Sequence, residues 1–252
     1  LAAATKPIIR RTIREGYDFD ILDAHYFYPD GVAAAIISRS LNKPFVVTAR
    51  GSDLNQIADY PTQRRLIQWA AGRASGLVTV CQALKDKLMT LGVKSNRVTV
   101  LRNGVDLHLF KPPDDRDSLR QSLGLKGLAF LSVGGLIPRK GHDLIIRAMT
   151  SFPEATLLIA GNGPERDTLR RLIGALRLND RVQLLGLIEH EQMAAYYGAA
   201  DALVLASDRE GWANVLLESM ACGTPVVATR IWGTPEVVAD PAAGILIDDR
   251  TP

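Results

Sequence analysis

The chain has 252 residues, 47% hydrophobic and 23% charged, a length that suits one large domain or two modest ones and needs no disulfide or metal to complete a core. Against 27 acidic residues the 30 Lys and Arg leave a net charge of +3, which does not signal a nucleic-acid protein and is too small to establish a membrane-surface site. Two cysteines far apart in sequence, Cys81 and Cys222, fit a reducing compartment; four scattered histidines form no zinc-binding pair, and no run of 18 apolar residues is present to span a membrane.

Residues 1–16 read as a basic amphipathic helix, with Ile8, Ile9 and Ile13 on one side and Arg10, Arg11 and Arg14 on the other. Short apolar runs rich in Val, Ile and Leu follow at 20–24, 45–49, 77–81, 97–101, 129–133, 156–160, 182–185, 202–206, 225–229 and 244–247. Most lack alternation, as strands buried on both faces do. Helical patterns fill the gaps at 30–41, 63–74, 82–91, 140–150, 165–176, 191–198 and 214–222. This order predicts an α/β chain with parallel sheets. The stretch DLHLFKPPDDRDSLRQSLGLKG (106–127) carries Pro112-Pro113, an acidic helix start and two glycines, with four strands before it and six after. It predicts two Rossmann-like domains, 1–110 and 127–252, joined by a linker at 111–126 and facing across a ligand cleft. A surface loop within one large sheet is the alternative. The chain opens within a helical pattern and stops just after a strand, so the first domain is expected to be truncated and the second to lack its last helices.

Three segments have the make-up of an anion and sugar site. In ASDREGWANVLLESMACGTPVVAT (206–229) a strand, a polar loop and a helix succeed one another, and Gly223 and Pro225 stop the helix. Glu210 and Glu218 border that helix's N-terminus. Gly211 admits close backbone approach, and the amides of Trp212, Ala213, Asn214, Val215 and Leu216 suit a phosphate. In FLSVGGLIPRKGHD (130–143) the Gly134-Gly135 turn leads to Arg139 and Lys140 at the start of a helix. Cations are unfavourable there unless an anion lies between them and the amides. A solvated loop Glu and a solvated basic turn are the bland alternatives. In LIAGNGPERD (158–167) the G-x-G-x-x-G pattern fails at Arg166, so a tight turn without a ligand is the better reading. Further upstream, His25, Arg50 and Asp53 stand at strand C-terminal ends and suit an acceptor, with a structural role for His25 equally open.

In sequence order, VTVLRNGVDLHLFKP (98–112), SVGGLIPRKG (132–141), IAGNGP (159–164), VQLLG (182–186), YYGAADALVLAS (196–207) and EGWANVLLESMACGTPVVAT (210–229) resemble the retaining GT-B glycosyltransferases of family 4, the glycogen-synthase-like and phosphatidylinositol-mannosyltransferase-like enzymes. Glu210 and Glu218 form the E-x7-E pair of that family. The resemblance implies that Glu218 holds the ribose of a nucleoside-diphosphate sugar, that Glu210 touches the transferred sugar, and that Lys140 binds the pyrophosphate, aided by Arg139, Gly134, Gly135 and the amides after Glu210. The base would lie near residues 185–188. Two positions depart from the family: Gly135 stands where an Arg is usual, and Arg50 where a His is usual beside the donor sugar, leaving His25 as the histidine on the acceptor side. Glu210, Lys140 and His25 are thus the catalytic candidates, and Arg50 and Asp53 the acceptor-side ones.

The resemblance implies retaining transfer to a hydroxyl of a glycan, lipid or small molecule, without cofactor or metal, by a cytoplasmic enzyme with no nucleic-acid partner. Peripheral contact with the inner face of a membrane stays open. The competing expectation is a non-catalytic nucleotide-sugar-binding or scaffold protein with a decayed site. A dehydrogenase is disfavoured by the incomplete glycine pattern.

Overall fold

Each apolar run in the sequence forms a strand, and each strand runs parallel to its neighbours. The structure, a computed structural model, describes residues 1–252. It contains two units, Leu1–Asn103 with Glu210–Trp212, and Gly104–Arg209 with Ala213–Pro252.

The first unit is built from α1 (Ala2–Arg14), β1 (Leu22–His25), α2 (Val32–Leu41), β2 (Phe45–Ala49), α3 (Ser52–Asn55), α4 (Pro61–Arg73), β3 (Gly76–Thr79), α5 (Gln82–Thr90) and β4 (Val98–Val100). The strands lie in the order β1-β2-β3-β4, all parallel. Ala33, Ala34, Ala35 and Ile37 of α2 are buried, and Asn42, in the left-handed region, ends that helix. Pro61 opens α4, where its missing N–H costs nothing. The amphipathic α1 buries no residue completely, and Ile8 on it is 65% exposed. No helix is long and apolar enough to cross a membrane.

The second unit comprises α6 (Arg116–Ser122), β5 (Ala129–Val133), α7 (His142–Ala148), β6 (Thr156–Ala160), α8 (Arg166–Ala175), β7 (Val182–Gly186), α9 (Met193–Ala199), β8 (Ala202–Leu205), α10 (Asn214–Ala221), β9 (Val226–Thr229), α11 (Thr234–Val237) and β10 (Gly244–Ile247). Its strand order is β10-β9-β8-β5-β6-β7. The chain enters at β5, runs outward through β6 and β7, then returns to the other side of β5 with β8. The direction of winding therefore reverses between β5 and β8, and open α/β sheets bind ligands outside the carboxyl ends of the strands at such a switch point. Ile145 and Ile146 of α7 and Leu169 and Ile173 of α8 pack with Leu157 and Ile159 of β6 in one core. Leu169 and Ile173 are four apart in RDTLRRLIGA, so they share the face turned to the sheet.

Two sequence expectations change here. The division between units falls at Asn103/Gly104, and residues 111–126 belong to the second unit instead of forming a free linker. Asp115 caps α6 by accepting from the Ser118 amide at 2.9 Å. Arg116 then donates to the carbonyls of Gly198 and Ala200 and to Asp201 (3.1, 2.9 and 2.7 Å), and Arg120 to Ala199 and Asp201 (2.7 and 3.0 Å). These cations meet the carbonyl end of α9, where the helix dipole favours them. Secondly, Arg139 and Lys140 do not begin the α-helix. A single 3-10 turn, Pro138–Lys140, closes on Gly141 at φ +66°, and α7 starts at His142. Only glycine fits at 141, because a Cβ there would stand 2.3 Å from the Ala206 carbonyl oxygen.

Candidate functional site

The loops that leave β5 and β8 carry the second unit's candidate residues. After β5 the chain makes the Gly134-Gly135 turn. Gly134 has φ +152°, and a Cβ on it would lie 3.2 Å from Lys140 Cε, so the lysine's stem runs across the glycine. Gly134 donates to Ala160 O at 3.0 Å, and Leu136 to Asn162 O at 2.9 Å, which joins this turn to the loop after β6. There the two glycines of the incomplete G-x-G are explained by packing. A Cβ on Gly161 would meet Gly134 O at 1.9 Å, and one on Gly163 would meet Leu136 O at 2.5 Å.

Arg139 clips this turn to the loop after β8. Its carbonyl accepts from the Asp208 amide at 2.9 Å, and its Nη1 donates to Arg209 O at 2.7 Å. The guanidinium is thus turned toward protein backbone. His142, 2% exposed, is held by Ser132 Oγ at 3.0 Å from Nδ1. Burial lowers its pKa to about 4; Lys140 acts the same way, while the backbone of Gly135 and Gly134 and the Asp143 carboxylate act against it.

Beyond the second loop, α10 presents Glu218, half-buried, on its second turn. Its Oε2 accepts from the Tyr197 hydroxyl at 2.7 Å. Of the amides expected to meet a phosphate, that of Leu216 is used internally, donating to Ala213 O at 3.1 Å. The loop before α10 is less polar in its surroundings than its sequence suggests: Ser207, Glu210 and Gly211 are all buried. Gly141 is the glycine that lets the two loops meet, a function that no ligand-binding motif would have revealed.

In the first unit the candidates gather at the C-terminal ends of the strands. His25 ends β1, Arg50 follows β2, and Asn103 follows β4. Arg50 donates from Nε and Nη2 to His25 Nδ1 (3.0 and 2.7 Å) and from Nη1 to Asn103 Oδ1 (3.1 Å). A guanidinium has no acceptor atom, so His25 Nδ1 must offer its lone pair. The imidazole proton then sits on Nε2, which faces Asp23 Oδ2 at 3.2 Å. In this arrangement His25 braces Arg50 through one ring nitrogen and meets Asp23 through the other.

Asp53 points inward and is completely buried. Its carboxylate accepts from the amides of Phe27 (2.8 Å), Gly51 (3.0 Å) and Arg50 (3.3 Å), fixing the loops after β1 and β2. Burial pushes its carboxyl pKa up against the pull of those amides. Glu210–Trp212 groups with these residues. Asn55 Nδ2 donates to Glu210 O at 3.4 Å, and a Cβ on Gly211 would fall 2.0 Å from Arg50 O, so Gly211 admits backbone where a ligand was expected. The Trp212 indole lies 6.0 Å from the Arg102 guanidinium, with its Nε1 buried and unpartnered. No group of three or more His, Cys, Asp or Glu is placed to hold a metal ion.

The family of glycosyl transferases group 1 matches residues 115–252, and glycosyltransferase family 4 matches residues 2–109. The chain is a group 1 glycosyltransferase family member. It is 37% identical over 192 residues to a D-inositol 3-phosphate glycosyltransferase of Mycolicibacterium smegmatis, covering 72% of this chain and 43% of that one. An N-acetyl-α-D-glucosaminyl L-malate synthase of Bacillus anthracis is 26% identical, covering 92% and 62%. The crystal structure of Anabaena HepE in complex with UDP-glucose superposes with a TM-score of 0.83 at 28% identity, covering 98% of this chain and 68% of that one. The two parallel α/β sheets of this family member match such GT-B structures. The chain spans less than two thirds of the length of both named curated relatives.

Proposed function

We propose that this chain carries the donor site of a retaining glycosyltransferase that moves a sugar from a nucleoside-diphosphate sugar to an acceptor hydroxyl without a metal ion. The observation that carries the reading is the switch point between β5 and β8. One of its loops brings Lys140 across the Gly134 turn, and the other leads into α10 with Glu218. Lys140 would meet the diphosphate, Glu218 the ribose hydroxyls, and Glu210 the transferred sugar. Breaking the bond between the anomeric carbon and the phosphate oxygen leaves negative charge on the phosphate. Lys140 and the amides at the start of α10 would stabilise that charge, a contribution that is usually large because the groups are already oriented. The acceptor oxygen bonds to the anomeric carbon on the face the phosphate leaves, and its proton passes to the departing phosphate oxygen.

The acceptor in this reading bears an anion. Arg50 donates to a ring nitrogen of His25 and to the Asn103 amide oxygen, neither of them a carboxylate. A carboxylate or phosphate on the acceptor would complement the guanidinium charge. The names of two relatives agree, one acting on D-inositol 3-phosphate and the other forming an L-malate glycoside.

Calorimetry with UDP, GDP and ADP tests the donor site. Glu218→Ala should weaken the diphosphate that binds by roughly ten- to a hundredfold, the loss of a charged hydrogen bond worth about 1.5–3 kcal/mol. Lys140→Ala should weaken the diphosphate and leave the nucleoside unchanged. Undiminished affinity in both variants refutes the assignment. Inverted anomeric configuration in the product, or activity abolished by EDTA, refutes the retaining, metal-free mechanism.

A further inference from the structure

The Tyr197 hydroxyl sits 2.7 Å from Glu218 Oε2, and the tyrosine is completely buried. Little in its surroundings lets the ring move. The Phe110 ring packs edge-on against it with centroids 5.9 Å apart, and Phe110 in turn meets His190 at 5.1 Å. The Tyr197 carbonyl accepts from Thr224 Oγ1 at 2.6 Å, and Thr224 O accepts from Ser219 Oγ at 3.1 Å, tying the turn after α10 back to α9. A buried hydroxyl is thus aimed at one oxygen of a half-buried carboxylate.

We propose that Tyr197 is a positioning residue for nucleotide binding, holding the Glu218 carboxylate in the rotamer that receives the ribose hydroxyls. The proposal rests on the reading of Glu218 as the ribose group. A free glutamate side chain loses rotamer freedom when it is fixed, and a carboxylate already held does not lose it again on binding. An ionised carboxylate offers about four lone-pair sites. Tyr197 uses one, so Oε1 and the rest of Oε2 stay open to a vicinal diol. Burial first, and the neighbouring Glu218 second, push the phenol pKa up, so the hydroxyl keeps its proton and remains the donor. A bond that served only to link α9 to α10 would not alter how the protein discriminates ribose from a sugar without hydroxyls, and this separates the two roles.

The test is calorimetry with UDP and 2′,3′-dideoxy-UDP, with the GDP and ADP pairs in parallel, on the wild type, Tyr197→Phe and Glu218→Gln. The wild type should prefer the ribose form by roughly ten- to a hundredfold. Tyr197→Phe should cut that preference about fivefold or more and leave the dideoxy affinity unchanged; Glu218→Gln should also cut it. Phe110→Leu, which loosens the ring and keeps the hydroxyl, should give a smaller loss in the same direction. A wild-type preference retained in full by Tyr197→Phe and Phe110→Leu overturns the proposal alone. A wild type without the preference, or a preference that survives Glu218→Gln, overturns the ribose reading and the proposal with it.

Discussion

His142 should make this protein lose stability in mild acid, and the size of the loss follows from its surroundings. The imidazole is 2% exposed, and burial brings its pKa from 6.5 to about 4. The unfolded chain therefore takes up a proton near pH 6.5 that the folded chain refuses until about pH 4. Between these values the unfolded state binds more protons, so stability falls as pH falls. Above pH 6.5 the contribution is complete; by about pH 4 it is spent. At about 1.36 kcal/mol per unit the interval amounts to about 3 kcal/mol. Asp53 works in the opposite sense, since a carboxyl whose pKa is raised in the folded state gains stability as pH falls. The signal must therefore be read as a difference between proteins. Urea unfolding of wild type and His142→Gln at steps from pH 7.5 to 4 isolates it: the wild type's stability relative to the variant should decline by about 3 kcal/mol across that range. Curves that stay parallel would refute the reasoning, as would a His142 ring resonance that titrates near 6.5 in the folded protein.

Two glycines offer a matched comparison. Gly141→Ala should cost more than about 2 kcal/mol, because φ +66° alone costs an L-residue roughly 1–2 kcal/mol and the new Cβ would strike the Ala206 carbonyl. Gly174→Ala, in α8 with nothing within 4 Å of the new atom, should instead stabilise by about 0.5–1 kcal/mol; chemical denaturation measures both. On the proposed acceptor side, Arg50→Gln should lower kcat/KM for an anionic acceptor by roughly tenfold or more, the loss of a charged hydrogen bond, and leave that for its neutral analogue unchanged, in steady-state assays with the nucleotide sugar that binds. An equal loss with both acceptors would show that Arg50 does not read the anion.

The fold was legible because each buried strand and each amphipathic helix announces itself locally. FLSV and TLLIA are apolar throughout, as strands covered on both faces must be, and Leu169 and Ile173 mark the inner face of α8. Residues 111–126 misled because Pro112-Pro113 and Gly124 are local stop signals, whereas the partners that capture Arg116 and Arg120 stand some eighty residues later, at Asp201 and the end of α9. Arg139 and Lys140 misled for a related reason. A helical pattern continues across 140–150, and what interrupts it is Gly141 meeting Ala206, a contact with no trace in the local sequence.

The glycines show where residue-level reasoning about the site stops. Gly134, Gly161, Gly163 and Gly211 all follow strands or polar loops, and each is equally compatible with a ligand's backbone approach or with another stretch of chain. The structure resolves three of them into the second case: Gly161 admits Gly134 O, Gly163 admits Leu136 O, and Gly211 admits Arg50 O. Gly134 differs, because what crosses it is the stem of Lys140, the cation proposed above for the diphosphate. A glycine beneath a lysine constrains the cation's approach; a glycine beneath a carbonyl only permits packing. Tyr197 makes the converse point. In YYGAADALVLAS it is one aromatic on a buried helix face, indistinguishable from a core residue, and only the 2.7 Å separation from Glu218 Oε2 joins it to the carboxylate that the sequence did single out. Candidate carboxylates can be picked out by their place beside a helix N-terminus, but their hydrogen-bond partners lie on other elements, and pairing α9 with α10 takes the fold.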